Sequence, residues 1–393
     1  MFNRAMPPRT PALRALSPRA IWGGGALLLV IGLAVGWILL STVGSESPRD
    51  RARLEVVRTA ISIVAGVGGA TALLLAARRQ RTNELALLET KHDAAERRTT
   101  ELYSAAIEQL GSDKAAVRLG GLYALERLAQ DNLAHRQTIV EVMCAYLRMP
   151  LAEVDDAAPV EGLELATLNR SLAEERRVRH AAQHILCSHL RPRRNGSGKP
   201  TNSKFWPDTD LYLAGAVLRH LNFSGCHVRS AVFSNATLEG AAMFDGAVFD
   251  DAANFVGASM DHAVLHGATF RGPALFSRAG ITDALFRDAH FVGPARFDNA
   301  CLEDADFSGA RFEGLALFTN AGTEDTIFEQ ATFGDLALFP RTTSAIFEGA
   351  RARTDLEPPI RWPRGWTLSV PAADDGNSAI PAAWATVARQ DRN

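Results

Sequence analysis

The sequence predicts a membrane-anchored α plus β-solenoid protein: two transmembrane helices, a helical middle module, and a quadrilateral β-helix built from a five-residue repeat. Three observations carry this. Two long stretches without charge precede residue 78, residues 78–149 contain no proline, and from Leu213 a large apolar residue returns every five positions. At 393 residues the chain is longer than one compact domain needs. Its four cysteines, Cys144, Cys187, Cys226 and Cys301, are too few and too scattered for a disulfide scaffold, and none forms a C-x-x-C pair.

The net charge of −2 conceals a partition. Residues 1–206 carry 28 Lys and Arg against 20 Asp and Glu, a balance of +8. Residues 207–348 carry 8 against 19, a balance of −11, and residues 349–393 stand at +1. A basic front is joined to an acidic back.

Residues 1–20 form a basic tail containing Arg4, Arg9, Arg14 and Arg19. The hairpin follows over 21–77. Its first span, Ile21–Val43, has 23 uncharged residues, more than the roughly 20 that cross about 30 Å of hydrocarbon. That is too long for a signal-peptide core, and no small-x-small cleavage site follows it. Its second span, Thr59–Ala77, is glycine-rich and has 19 residues closed by Arg78 and Arg79. Ten positive residues flank the hairpin and four (Arg49, Arg51, Arg53, Arg58) lie in its connecting loop. This bias places both termini, and the solenoid with them, in the cytoplasm of a two-span, multi-pass protein of the cell membrane. Gly32-x-x-x-Gly36 and Ala65-x-x-x-Gly69 allow close helix approach, either between the two spans or in a homodimer through them.

Residues 78–190 read as the helical module. Leu85, Leu88, Ala95 and Leu102 recur at roughly heptad spacing, but His92 and Thr99 fall between them, a weak coiled-coil signal. Gly111 stops this helix and Ser112 caps the next, whose buried face is assigned to Val117, Gly121, Ala124, Leu125 and Leu128. Helices near Gln137–Arg148 and Ser171–Leu190 follow. The last contains the one metal-like spacing, His180, His184 and Cys187 with His189 nearby. No carboxylate or second cluster completes a tetrahedral set, so no metal is assigned and the histidines are placed at the helix edge. Residues 191–206 form a basic linker.

The repeat occupies 207–348. Of 25 repeat centres from Leu213 to Phe339, 16 are Phe, and the position two before the centre is Ala in 21. Neither helix nor strand has a period of five. One large and one small inward residue per five requires a coil that turns a corner each repeat, closes after four, and stacks at about 4.8 Å. Phe255, Phe276, Phe297, Phe318 and Phe339 lie 21 residues apart, each after a six-residue step, which fixes four repeats per coil independently. These phenylalanines, with Ala274, Ala295 and Ala316, are the assigned structural core of the repeat. Residues 349–393 are read as a cap, with Trp362 and Trp366 plugging the open end, and a disordered tail over 371–393.

The A-x-F/L pentads over roughly 211–348 resemble the pentapeptide-repeat family, and the whole arrangement is similar to its membrane-anchored bacterial members. The resemblance implies a right-handed quadrilateral β-helix. It brings fold more than function, since the role of such members is generally unassigned.

No phosphate loop, HExxH or nucleophile elbow is present, so no enzyme, catalytic residue or cofactor is assigned. Two binding functions remain. One is a non-catalytic scaffold at the cytoplasmic membrane face, with the lipid bilayer and an unnamed protein as partners. The other is an acidic DNA mimic of the kind some soluble relatives use on type II topoisomerases, through Asp250, Asp251, Asp283, Asp288, Glu303, Asp304 and Asp306. The membrane tether and the interspersed arginines favour the scaffold, and nucleic acid is not expected as a partner.

Overall fold

The computed structural model describes residues 48–150, 163–193, 203–341, 343–357, 359–369 and 384–390, with isolated positions between 30 and 41. The chain divides into two units, Met1–Ala94 and Ala95–Asn393.

Helix α1, Pro48–Leu110, opens on a proline, whose missing N–H is no loss at the first helical position, and ends immediately before Gly111. It takes in the second uncharged run. It also takes in residues 48–58, read above as loop, because no proline interrupts the chain after Pro48. The basic tail and the first uncharged run lie outside the described residues apart from isolated positions. Among the described residues no helix is long and apolar enough to cross a membrane. Ile61, Leu73 and Leu74 stand exposed at 57%, 73% and 72%. Leu85, Leu88, Ala95 and Leu102 are exposed too and form no seam among the described residues.

In the second unit the last turns of α1 pack with α2 (Ala115–Asp131), α3 (Arg136–Arg148) and α4 (Leu163–Leu190). A Cβ at Gly121 would stand 2.8 Å from the carbonyl oxygen of Ala106, so only glycine permits the approach of α2 to α1 there. The buried face of α2 is Gly121, Leu122, Leu125, Leu128 and Ala129, turned from the assigned one, because α2 packs on both α3 and α4. Val117 is left exposed. Lys114, not Ser112, occupies the N-cap; the Ser112 hydroxyl accepts the Lys114 N–H at 3.2 Å.

The repeat forms four parallel ladders, one per side of the coil. The first is a seven-stranded sheet in which Leu211, Ala231, Ala253, Ala274, Ala295, Ala316 and Ala337 lie in register. Behind it Phe255, Phe276, Phe297 and Phe318 stack at 4.9, 4.9 and 5.0 Å with rings within 3° of parallel. The second ladder is aliphatic at its centres, with Leu218, Leu238, Met260, Ile281 and Leu302 buried. The third and fourth return to Phe, stacking Phe286 on Phe307 at 4.5 Å and Phe291 on Phe312 at 4.8 Å. Phe347, left out of the repeat pattern by the sequence reading, stacks on Phe328 at 5.0 Å and continues the third ladder. A 19-residue step separates it from Phe328, which hides it from a search for fives and sixes.

The corners explain the extra residue. Two positions after the centre, the corners leading from the first ladder to the fourth adopt left-handed backbone, whether the residue is Gly215, Asn235, Asp283 or Arg278. The six-residue corner between the fourth and first ladders does not. There Gly293 lies so close to the coil below that a Cβ would come within 2.4 Å of the Gly272 carbonyl oxygen.

Both ends are closed. At the start, Trp206 is fully buried, stacks on His189 of α4 at 4.0 Å, and donates from Nε1 to Gln130 Oε1 at 3.0 Å. The side-chain amide of Gln137 pairs with the edge strand Asp210–Tyr212 as another strand would. Its Nε2 donates to the Asp210 carbonyl and its Oε1 accepts the Asp210 N–H, both at 3.1 Å. At the far end Trp362 stacks on Phe339 at 5.5 Å and Trp366 meets Phe347 edge-on, as the plug reading expects. The disordered-tail reading is corrected over Trp384–Arg389. These residues form a strand antiparallel to both Arg351–Arg353 and Trp366–Ser369, with alternating Ala385 and Val387 turned inward.

Candidate functional site

The coil interior offers no room for a ligand. Ala274, Ala295, Ala316, Phe255, Phe276, Phe297 and Phe318 are fully buried, and Phe339 is half-buried under Trp362. Whatever the solenoid recognises must meet the single outward residue of each repeat and its neighbours at the corner.

The third ladder presents Asn222, Met243, Val264, Leu285, Asp306, Ile327 and Ile346 in one parallel register. Leu285 and Ile346 are 38% and 36% exposed. Met243, Val264 and Ile327 are partly exposed between them, so the outer face of this ladder is largely aliphatic. Asp306 interrupts it, but the expected outward carboxylate is in fact nearly buried. Its Oδ1 accepts the Ser308 N–H at 2.8 Å and the Ser308 hydroxyl at 2.5 Å, and Arg287 lies over Oδ2.

Burial alone would raise the pKa of Asp306. The Ser308 bonds and the Arg287 guanidinium outweigh it and hold the group below the ordinary carboxylate value. A lowered folded pKa stabilises the protein above the unfolded value, near 4, and that contribution is lost as pH falls through the folded value. The difference in Tm between the native protein and Asp306→Asn should therefore be widest above about pH 4 and shrink on acidification. A gap of constant size down to pH 2.5 would show that the ionised pair adds nothing.

Along the fourth ladder the charges are paired from coil to coil. His227 Nε2 lies 2.6 Å from Asp250 Oδ2, Arg271 meets the other oxygen of Asp250, and His290 Nε2 lies 2.7 Å from Glu313. Asp283 and Asp288 lie 3.5 and 3.8 Å from His262 and His266.

The metal-like spacing on α4 is dispersed. His180 and His184 are exposed, while Cys187 and His189 are buried. His189 is not at the helix edge as expected: its Nε2 lies 2.7 Å from Glu126 and its Nδ1 2.6 Å from the Lys204 carbonyl. It is a joint between module and solenoid, a role the sequence reading did not assign. Trp206, its stacking partner, had been placed in the linker. Among the described residues no three His, Cys, Asp or Glu side chains gather as a metal would require. Burial pushes the Cys144 thiol up to about 11 and also raises that of Cys226, so neither is a ready nucleophile.

The structure of trypsin-treated QnrB1, a plasmid-mediated fluoroquinolone resistance protein, is similar over 32% of this chain and 70% of that one, at 18% identity and a TM-score of 0.13. No curated protein matches the chain. Residues 213–259 and 255–300 match the family model described as pentapeptide repeats (9 copies), and over those residues the chain forms a parallel β-solenoid.

Proposed function

We propose that this chain is a membrane-tethered, non-catalytic scaffold whose solenoid binds a protein partner at the cytoplasmic membrane face. The observation that carries the reading is the filled interior beside the outward aliphatic stripe of the third ladder. With no internal ligand space, Met243, Val264, Leu285 and Ile327 are the surface best suited to desolvation by a partner. The tether rests on the uncharged runs at 21–43 and 59–77. Ile61, Leu73 and Leu74 in the second run are exposed among the described residues, and a bilayer would cover them.

The balance of −11 over 207–348 favours a second reading, the DNA mimic acting on a type II topoisomerase. Against it, Asp250 and Asp306 lie against arginines of the solenoid itself, and Asp283 and Asp288 against histidines.

Reporter fusions at Leu85 and Gly44 should report cytoplasmic and periplasmic locations respectively; a periplasmic signal at Leu85 rejects the topology. Proximity labelling from the full chain should mark a protein whose labelling disappears with Leu285→Glu and Ile327→Glu. The full chain should leave DNA supercoiling unaffected at micromolar concentration and low salt. Salt-sensitive inhibition, abolished by Asp304→Asn, would replace the scaffold with the mimic.

A further inference from the structure

A groove of about 370 Å³ lies between α4 and the first coil, within the second unit. Arg176, Arg177, His180 and Gln183 of α4 form one wall, and Arg219 and His220 face them. Arg176, His180 and Gln183 are spaced i, i+4, i+7 and so share one side of the helix. Arg179 also borders the groove. It is already committed: its guanidinium donates to Glu175 at 2.9 Å and to the carbonyls of Leu147 and Met149. Arg219 lies 2.5 Å from Glu239. Arg176, Arg177 and His180 have no hydrogen bond or ion pair among the described residues, and no carboxylate lines the groove.

Two further features make this more than a basic surface. His220 is held in left-handed backbone, φ 49°, and its imidazole fits a notch in the next coil. A Cβ at Gly240 would stand 2.6 Å from His220 Nδ1. Gln183 is only 7% exposed, and among the described residues its buried Oε1 has no partner. A buried acceptor without a donor calls for one from outside the protein. Adjacent like charges without counter-charge call for an anion, and guanidinium groups match phosphate oxygens in pairs.

We propose that this groove binds a small phosphorylated polyol. Arg176 and Arg177 hold the phosphate, with His180 and His220 beside it, and Gln183 Oε1 accepts a hydroxyl of the same ligand. The volume suits a ligand of that size rather than a polymer. The same chemistry is found in a soluble sugar phosphate and in the headgroup of phosphatidylglycerol.

The test is native mass spectrometry of the full chain released from detergent, with glycerol 3-phosphate and phosphatidylglycerol as separate probes. At least one should bind saturably with a stoichiometry of one. Retention of glycerol 3-phosphate assigns a soluble ligand, and retention of phosphatidylglycerol alone assigns a headgroup. The Arg176→Ala/Arg177→Ala pair, both exposed, should weaken binding about tenfold or more, while Arg311→Ala on the fourth ladder should leave it unchanged. Glycerol 3-phosphate should also outbind inorganic phosphate, and Gln183→Leu should erase that preference. Saturable binding of neither probe, or equal losses in the paired variant and Arg311→Ala, would overturn the proposal.

Discussion

Phe297→Ala is expected to destabilise the second unit by about 3–5 kcal/mol, whereas Arg296→Ala, its chain neighbour, should cost less than about 0.5 kcal/mol. The contrast follows from the phase of the repeat. Phe297 is fully buried and stacks between Phe276 at 4.9 Å and Phe318 at 5.0 Å. It also meets Phe286, Phe291 and Phe307 edge-on at 5.9, 5.9 and 5.3 Å. Removing the ring opens a void that touches three successive coils, and stacked backbones held by their own ladders can collapse little to fill it. Arg296 points outward, half-exposed, with an ion pair to Asp298 at 3.2 Å. Denaturant unfolding of the full chain and the two variants, followed by a β-sheet signal, measures both. Comparable losses at the two positions would mean that the inward and outward registers are misassigned.

The second large effect belongs to Trp206→Ala, also about 3–5 kcal/mol, and it should be localised. The indole is the lid of the first coil. Without it, the imidazole of His189 loses its stacking partner and Gln130 Oε1 loses its donor. Solenoid stability is approximately a sum of coil and neighbour terms, so the damage should spread from the end inward. Amide exchange should accelerate most over residues 211–228 and least near Phe307. A uniform acceleration would show that the coils melt as one unit and that the lid has no special role.

Much of this architecture was legible in the sequence, for a physical reason. A coil that turns every five residues can bury only one small and one large side chain per corner, so the pattern of Ala and Phe is the fold written linearly. The 21-residue spacing of Phe255 to Phe339 appears in the structure as one stacked column. What was not legible depends on the third dimension. Nothing in the spacing of α4 distinguishes buried His189 from exposed His180 and His184, because the difference lies in what Trp206 and Glu126 bring from elsewhere. Asp306 sits at an outward position by the repeat's phase, yet Arg287, one coil earlier, folds over it. The strand at 384–389 is six residues of modest alternation whose partners lie more than thirty positions away for Arg351–Arg353. The basic groove joins side chains about forty residues apart and has no local signature.

The closure of both ends has a consequence for assembly. A stack of parallel coils is, by construction, a template: its last rung offers the same row of backbone groups that the previous rung used, and an open pair of such ends could join head to tail into a filament. Here the two exits are blocked by unlike devices, a glutamine side chain from a helix at one end and a strand of reversed polarity at the other. The first ladder at its start and the fourth at its far end are therefore not left as open templates for a second copy.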